Sequence, residues 1–356
     1  MQITGVSTLG LSIPLKHPYH IAYQDIIEAK VLFLRVRTRD GIDGFGCASP
    51  EEAITGENFA AAKELLAGAV RDTLKGQDPL RRGLIIDRLA ELTSGFPSVR
   101  GAVDMALLDI LGKKARLPVW QLYGGYRRSI ETSITLGIAP LDETLTLAKE
   151  LTQRGFRVLK LKGGLSVEED AEKLNRLREL TGPEAVLRFD ANQGYSVSEA
   201  LRLLELAAPA EIEILEQPTP RKSPTLLGHV TQLLAVPVMA DESLQSLHEA
   251  FHLAREELVD MMNIKLTKVG GFTAARRIDA VAQAAGIESM VGCMDEPALG
   301  VAAGLHFALS HENVRYADLD SFLDLTDDPT AGAVRLKKGM LIPRSAPGFG
   351  CEPKIF

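Results

Sequence analysis

The sequence predicts an α/β fold: a TIM-like parallel barrel with an α+β capping domain. Three observations predict it. Eight short apolar or β-branched runs alternate with amphipathic helical stretches between Glu131 and Asp318. The residues ahead of them follow another grammar, with strands first and helices after. Charged side chains also recur at the ends of successive runs, one βα unit apart, where barrels of this type build their sites.

The leading module is read from Val31–Arg37, a β-rich run, a turn at Asp40-Gly41, and a returning strand over Ile42–Ala48. Helical periodicity follows over Glu57–Leu74, Leu84–Leu92 and Val99–Lys114, and in the last of these Val103, Ala106, Leu107, Ile110 and Leu111 share a face. The barrel runs are Glu131–Gly137, Val158–Lys162, Ala185–Asp190, Ile212–Glu216, Val236–Ala240, Met261–Lys265, Ile287–Gly292 and Val314–Asp318. Eight such units favour a closed barrel over an open doubly wound sheet. No GxGxxG or Walker A motif follows the first strand, which weakens a nucleotide-binding alternative. Gly332–Leu341 reads as a final hairpin, and the Pro/Gly-rich tail Arg344–Phe356 is expected to return to the first module. The resulting division is residues 1–125 with 325–356 as cap and 126–324 as barrel.

Bulk composition narrows the function. The 356 residues carry 40 Lys and Arg against 47 Asp and Glu, a net charge of −7, which argues against a nucleic-acid partner. The apolar stretches are too short to span a bilayer, and Met1–Pro14 lacks a signal-peptide pattern. Three scattered cysteines, Cys47, Cys293 and Cys351, form no disulfide framework and suit the cytoplasm. A homo-oligomer is the expected assembly.

Around the barrel the strand ends read Lys160-Leu161-Lys162, Asp190-Ala191-Asn192, Glu216-Gln217-Pro218, Asp241-Glu242-Ser243 and Asn263-Ile264-Lys265. The steps are 216 − 190 = 26, 241 − 216 = 25 and 265 − 241 = 24 residues, so the charges share one level of one mouth. A lone carboxylate after a strand is more often a helix cap; three in successive units are not. Converging carboxylates repel and need a cation, and all-oxygen ligation by Asp190, Glu216 and Asp241 suits Mg²⁺. No histidine stands at a barrel strand end, which disfavours zinc.

Lys160 and Lys162 lie two apart on a strand and project to the same face. Their mutual repulsion is expected to lower a lysine pKa towards ~7–8, the range of a useful base. Lys265 arrives four units on, opposite in an eight-stranded barrel. Two bases facing each other across a metal-bound carboxylate imply removal of an α-proton on one face and its return on the other.

The KxK strand, the DAN, EQP and DES contexts of the three carboxylates and the run Asn263–Gly271 together resemble the enolase superfamily, muconate lactonizing enzyme subgroup. A lysine or histidine base working with Mg²⁺ is the general chemistry of that superfamily. The resemblance covers nearly the whole chain. It implies a (β/α)₇β barrel with Lys162 and Lys265 as the catalytic pair and Lys160 as an auxiliary cation. It also implies one Mg²⁺ per subunit, with Asn192 and Lys268 in support. Within the subgroup the sequence is most similar to dipeptide epimerases, because Asp318-Leu319-Asp320 ends the eighth strand. In that family this pair holds the substrate's α-ammonium, a role that physically requires an anion.

Side-chain specificity departs from the Ala-Glu enzymes of that family. Their mobile N-terminal loop carries an arginine, whereas Gln24 stands there in His20–Asp25. Asp295, after the seventh strand, replaces an apolar residue, and Glu51 in the loop Pro50–Gly56 adds another acid. Acids round a mouth favour cations, so dipeptides containing Lys or Arg are the expected small-molecule partners. The alternatives are o-succinylbenzoate synthase, N-succinylamino acid racemase or muconate cycloisomerase activity, and a non-catalytic barrel that binds metal or peptide.

Overall fold

In a computed structural model that describes residues 1–22 and 24–356, the side chain of Gln24 also lying outside the description, the chain opens as a long hairpin. Strand β1 (Ile3–Ile21) pairs antiparallel with β2 (Gln24–Thr38), and β2 with β3 (Asp43–Ala48). From sequence the sheet begins only at Val31, and β1 is passed over. The reason is Pro14 and Pro18, which remove ladder donors and demote a run that otherwise alternates. They are tolerated because β1 is the edge of the sheet order β1-β2-β3, and the register slips between Pro14 and Tyr19. Within the predicted loop, His20 pairs with Asp25 and Ile21 with Gln24 as the ends of β1 and β2.

The predicted helix over Val99–Lys114 runs Pro97–Ala115 and is buried on almost every side, with Leu111 half-buried. It lies directly on β3, where a Cβ on Gly46 would come within 2.0 Å of the Ala102 carbonyl oxygen. Glycine is what allows that approach.

After β4 (Ile130–Glu131) come the barrel strands β5 (Ile134–Leu136), β6 (Val158–Lys162), β7 (Val186–Asp190) and β8 (Ile214–Glu216). β9 (Val238–Ala240), β10 (Met261–Lys265), β11 (Glu288–Gly292) and β12 (Val314–Asp318) complete the set. They stand in sequence order in one eight-stranded parallel sheet. A bridge between Thr132 and Ala317 closes it, with Ser133 N donating to Ala317 O at 3.1 Å. Among the described residues the only helical segment after β12 is the single turn Ser321–Leu323, so the barrel is (β/α)₇β with the cap beside it.

The tail forms the hairpin β13 (Val334–Lys337) and β14 (Met340–Pro343), and β14 pairs with β4. Flanking segments reach the first module: Thr326 N donates to Pro14 O at 3.1 Å, and Phe349 N to Asp109 Oδ1 at 3.0 Å. Asp104, on the helix Pro97–Ala115, accepts from Thr273 N at 2.7 Å, at the start of the helix Phe272–Ala284. The cap therefore clamps the segment that leaves β10 just beyond Lys265. Among the described residues no helix is long and apolar enough to cross a membrane.

Candidate active site

Strand register places the chemistry. Lys162, Asp190 and Glu216 are direct cross-strand partners on β6, β7 and β8, and Lys265, Gly292 and Asp318 are partners on β10, β11 and β12. Side chains at one level of a parallel barrel point into one mouth. One oxygen each of Asp190, Glu216 and Asp241 lies within 4.8 Å of the others, and all three residues are buried.

The lysines flank this group. Lys162 Nζ lies 2.7 Å from Asp190 Oδ2, and Lys265 Nζ lies 2.8 Å from Asp241 Oδ2. The two candidate bases thus sit against the outer carboxylates, one at each end of the triad. Lys160, 1 % exposed, meets Asp190 at 3.0 Å, Glu216 at 2.7 Å and Asp318 at 2.8 Å. Lys268 pairs with the second oxygen of Asp241 at 2.5 Å.

Local backbone makes the carboxylates converge. Asn192, Gln193 and Gln217 adopt the left-handed conformation just after two of the strands. Asn192 N donates to Asp190 Oδ1 at 2.9 Å, and its side chain reaches Glu242 at 3.2 Å. Gln217 Oε1 accepts from Asp241 N and Ser243 N, both at 3.0 Å, so the glutamine of EQP fixes the neighbouring DES segment. Asn263 Nδ2 donates to Glu216 Oε1 at 2.8 Å. Its amide lies where a Cβ on Gly292 would meet Oδ1 at 2.5 Å, which explains that glycine.

Electrostatics correct one expectation. Lys160 is not depressed by Lys162: burial pulls its pKa down, but Asp318, Glu216 and Asp190 overcome that and hold it well above the ordinary lysine value. Lys265 behaves likewise, burial being outweighed by Asp241. Lys268 moves the other way, because burial exceeds the pull of Asp241. Burial opposes ionisation of Asp190 and Asp241 as well, yet the adjacent lysines keep both below the usual carboxylate range. Glu216 is raised by burial and by Asp190.

At the closing strand, Asp318 accepts from Ser133 Oγ at 2.5 Å and from Lys160, so both its oxygens are occupied. Asp320 uses one oxygen on Thr135 N at 2.7 Å and is pushed up to about 6 by burial and Asp318. At the rim, Asp295 accepts from Tyr19 Oη at 3.0 Å, and burial followed by the nearby charge of Glu51 raises it to about 6. Glu51 therefore lies within electrostatic reach of Asp295, while the side chain of Gln24 lies outside the described residues. Asn263, Gln217, Ser133 and Tyr19 escaped sequence reasoning. Asn263 and Gln217 sit inside motifs already singled out, whereas Tyr19 lies on the unread strand β1.

The donor set fits Mg²⁺. It offers hard carboxylate oxygens only, fully enclosed. Beside them, Asn192 and Asn263 each keep a buried side-chain oxygen with no hydrogen bond among the described residues, acceptors suited to a hydrated cation's waters.

Comparison with known proteins agrees with this geometry. The enolase C-terminal domain-like family matches residues 143–355, and the mandelate racemase/muconate lactonizing enzyme N-terminal domain matches residues 3–124. An L-Lys-D/L-Arg epimerase of Methylococcus capsulatus is 39% identical over 351 residues, covering 98% of this chain and 99% of that protein. A Methylococcus capsulatus dipeptide epimerase crystallised with Mg and L-Arg-D-Lys superposes with a TM-score of 0.93 at 39% identity, covering 99% of both chains. The Enterococcus faecalis dipeptide epimerase with Mg and L-Leu-L-Tyr gives 0.96 at 34% identity, covering 99% of this chain and 100% of that one.

Proposed function

The chain belongs to the enolase superfamily, in its mandelate racemase/muconate lactonizing enzyme branch, and from that premise we propose that it is a Mg²⁺-dependent dipeptide epimerase preferring Lys- or Arg-containing dipeptides. The observation that carries the reaction is the pair Lys162 and Lys265, held at opposite ends of the carboxylate triad.

Asp190, Glu216 and Asp241 hold the metal. Bound there, Mg²⁺ supplies Lewis acidity that stabilises the charge growing on the substrate carboxylate as the α-proton leaves. Lys162 Nζ takes the proton at the α-carbon of the C-terminal residue from one face, and Lys265 Nζ delivers one to the other; the reverse reaction exchanges their roles. Lys160 remains protonated and lends positive charge to the developing enediolate. Lys268 and Asn192 orient Asp241 and Asp190. Asp318 and Asp320 receive the substrate's ammonium, a group that cycloisomerases and N-succinylamino acid racemases do not need to bind.

The cationic preference is supported by Asp295, which has no lysine or arginine paired to it among the described residues and feels the charge of Glu51. The Lys/Arg specificity of the Methylococcus capsulatus relative points the same way. A cytoplasmic setting, a homo-oligomeric assembly and indifference to nucleic acid complete the proposal, supported by three unpaired cysteines and the net charge of −7.

The test is a dipeptide panel assayed with EDTA-stripped protein before and after Mg²⁺ is restored. Epimerisation should require Mg²⁺ and run faster with Lys- and Arg-containing dipeptides than with Ala-Glu. Metal-independent turnover, or Ala-Glu as the better substrate, would contradict the proposal.

A further inference from the structure

We propose that Tyr19 is the positioning residue that sets the enzyme's charge selectivity, by fixing the Asp295 carboxylate so that one oxygen faces a cationic substrate side chain. The inference rests on the cationic reading above and deepens it. Tyr19 comes from the far end of β1, beyond the register slip, in the cap; Asp295 follows β11, in the barrel. Their hydrogen bond, Tyr19 Oη donating to Asp295 Oδ1 at 3.0 Å, joins elements 276 residues apart.

The barrel is shaped to receive the ring. A Cβ on Gly137, just past β5, would come within 2.8 Å of the Tyr19 Cβ, so that residue must be glycine for the tyrosine to sit there. Ile138 N donates to His20 O at 3.1 Å, pinning the backbone next to Tyr19 against the same strand end. Tyr19 is therefore held from two sides, and its hydroxyl is delivered to Asp295 rather than reaching it by a free rotation. A phenol donates only one hydrogen. It satisfies Oδ1 without adding charge, leaving Oδ2 without a hydrogen bond among the described residues and the carboxylate's negative charge intact. A lysine or arginine in place of Tyr19 would neutralise the acid and cancel its pull on a substrate cation. Glu51 is near enough to raise the carboxyl's pKa, so the cation would meet the field of two acids.

The experiment compares Lys with its neutral near-isostere norleucine, placed at either position of a dipeptide, as the ratio of kcat/KM values. In the wild type the ratio favours Lys. Tyr19→Phe, which keeps the ring and removes only the donor, should lower the ratio roughly tenfold through KM of the Lys substrate, the worth of one hydrogen bond to a charged group. Asp295→Asn should abolish the preference, and Tyr19→Phe added to Asp295→Asn should change the ratio no further. A ratio unmoved by Tyr19→Phe while Asp295→Asn abolishes it overturns the role of Tyr19 and leaves the cationic reading standing. A fall of equal size in the Asp295→Asn background also overturns it, because Tyr19 would then act on packing and not on Asp295. A wild type indifferent to Lys and norleucine overturns the cationic reading itself, and this proposal with it.

Discussion

The mouth of the barrel and its rim are built by different means. In the mouth, charges are placed by strand register and each is answered by an opposite charge: Lys162 with Asp190, Lys265 with Asp241, and Lys160 with three carboxylates. At the rim, Asp295 and Glu51 arrive on segments after β11 and β3, and the charge of Glu51 raises the pKa of the Asp295 carboxyl. The mouth is pre-arranged for one reaction. The rim instead concentrates acid, which on the proposed reading serves recognition of a charged side chain. On the proposed reading chemistry resides on strands and selectivity on connections, the division that lets one barrel serve many substrates.

Substitutions should separate the two regions by the size and kind of their effects. In the mouth, Lys162→Ala or Lys265→Ala should lower kcat for every dipeptide alike by about 10²–10⁴, the contribution of a positioned acid or base. A loss confined to cationic substrates would erase the distinction between mouth and rim. Asp241→Asn would leave the buried ammonium groups of Lys265 and Lys268 facing a neutral amide. Thermal unfolding should show a loss of about 3–5 kcal/mol, as when one partner of a buried pair is removed, and calorimetric titration should show weakened Mg²⁺ binding. Undiminished stability together with undiminished metal affinity would mean that Asp241 is not the node linking metal and base.

At the closing strand the effect should be smaller and of another kind. Replacing Asp318 and Asp320 together with Asn should raise KM about 10- to 100-fold for free dipeptides. N-acetylated dipeptides, which lack the ammonium, should show little of that penalty, and an equal rise for both substrate types would detach the pair from ammonium binding. The least effect is a pH step at the rim. Asp295, raised to about 6, is charged above that value and neutral below it. Affinity for a Lys-containing dipeptide should therefore decline more steeply as pH falls through 6 than that of a norleucine analogue, whose smaller step reports only Asp320, also raised to about 6.

The same contrast explains what could be read from sequence. Spacings of 26, 25 and 24 residues between Asp190, Glu216, Asp241 and Lys265 are legible because each βα unit has nearly constant length, and the barrel follows from them. The carboxylate triad is accordingly assembled correctly from the chain alone. The lysines' protonation is not: repulsion between neighbours is visible as KxK, whereas the three acids that outweigh it at Lys160 come from β7, β8 and β12. β1 is hidden by Pro14 and Pro18, whose cost depends on whether a strand is an edge, a property of the sheet and not of the segment. With β1 goes Tyr19, since a contact across 276 residues leaves no periodic trace. Asn263 and Gln217 lie inside recognised motifs, but their task, holding the neighbouring strand end, emerges only when the strands are side by side.

The most direct test of two opposed bases is α-proton exchange in D₂O with each epimer of one Lys-containing dipeptide, followed by ¹H NMR. Wild-type protein should exchange both epimers. Lys162→Ala should exchange only the epimer whose α-proton faces Lys265, and Lys265→Ala only the other. Exchange of both epimers by either single variant would contradict the assignment of one lysine to each face.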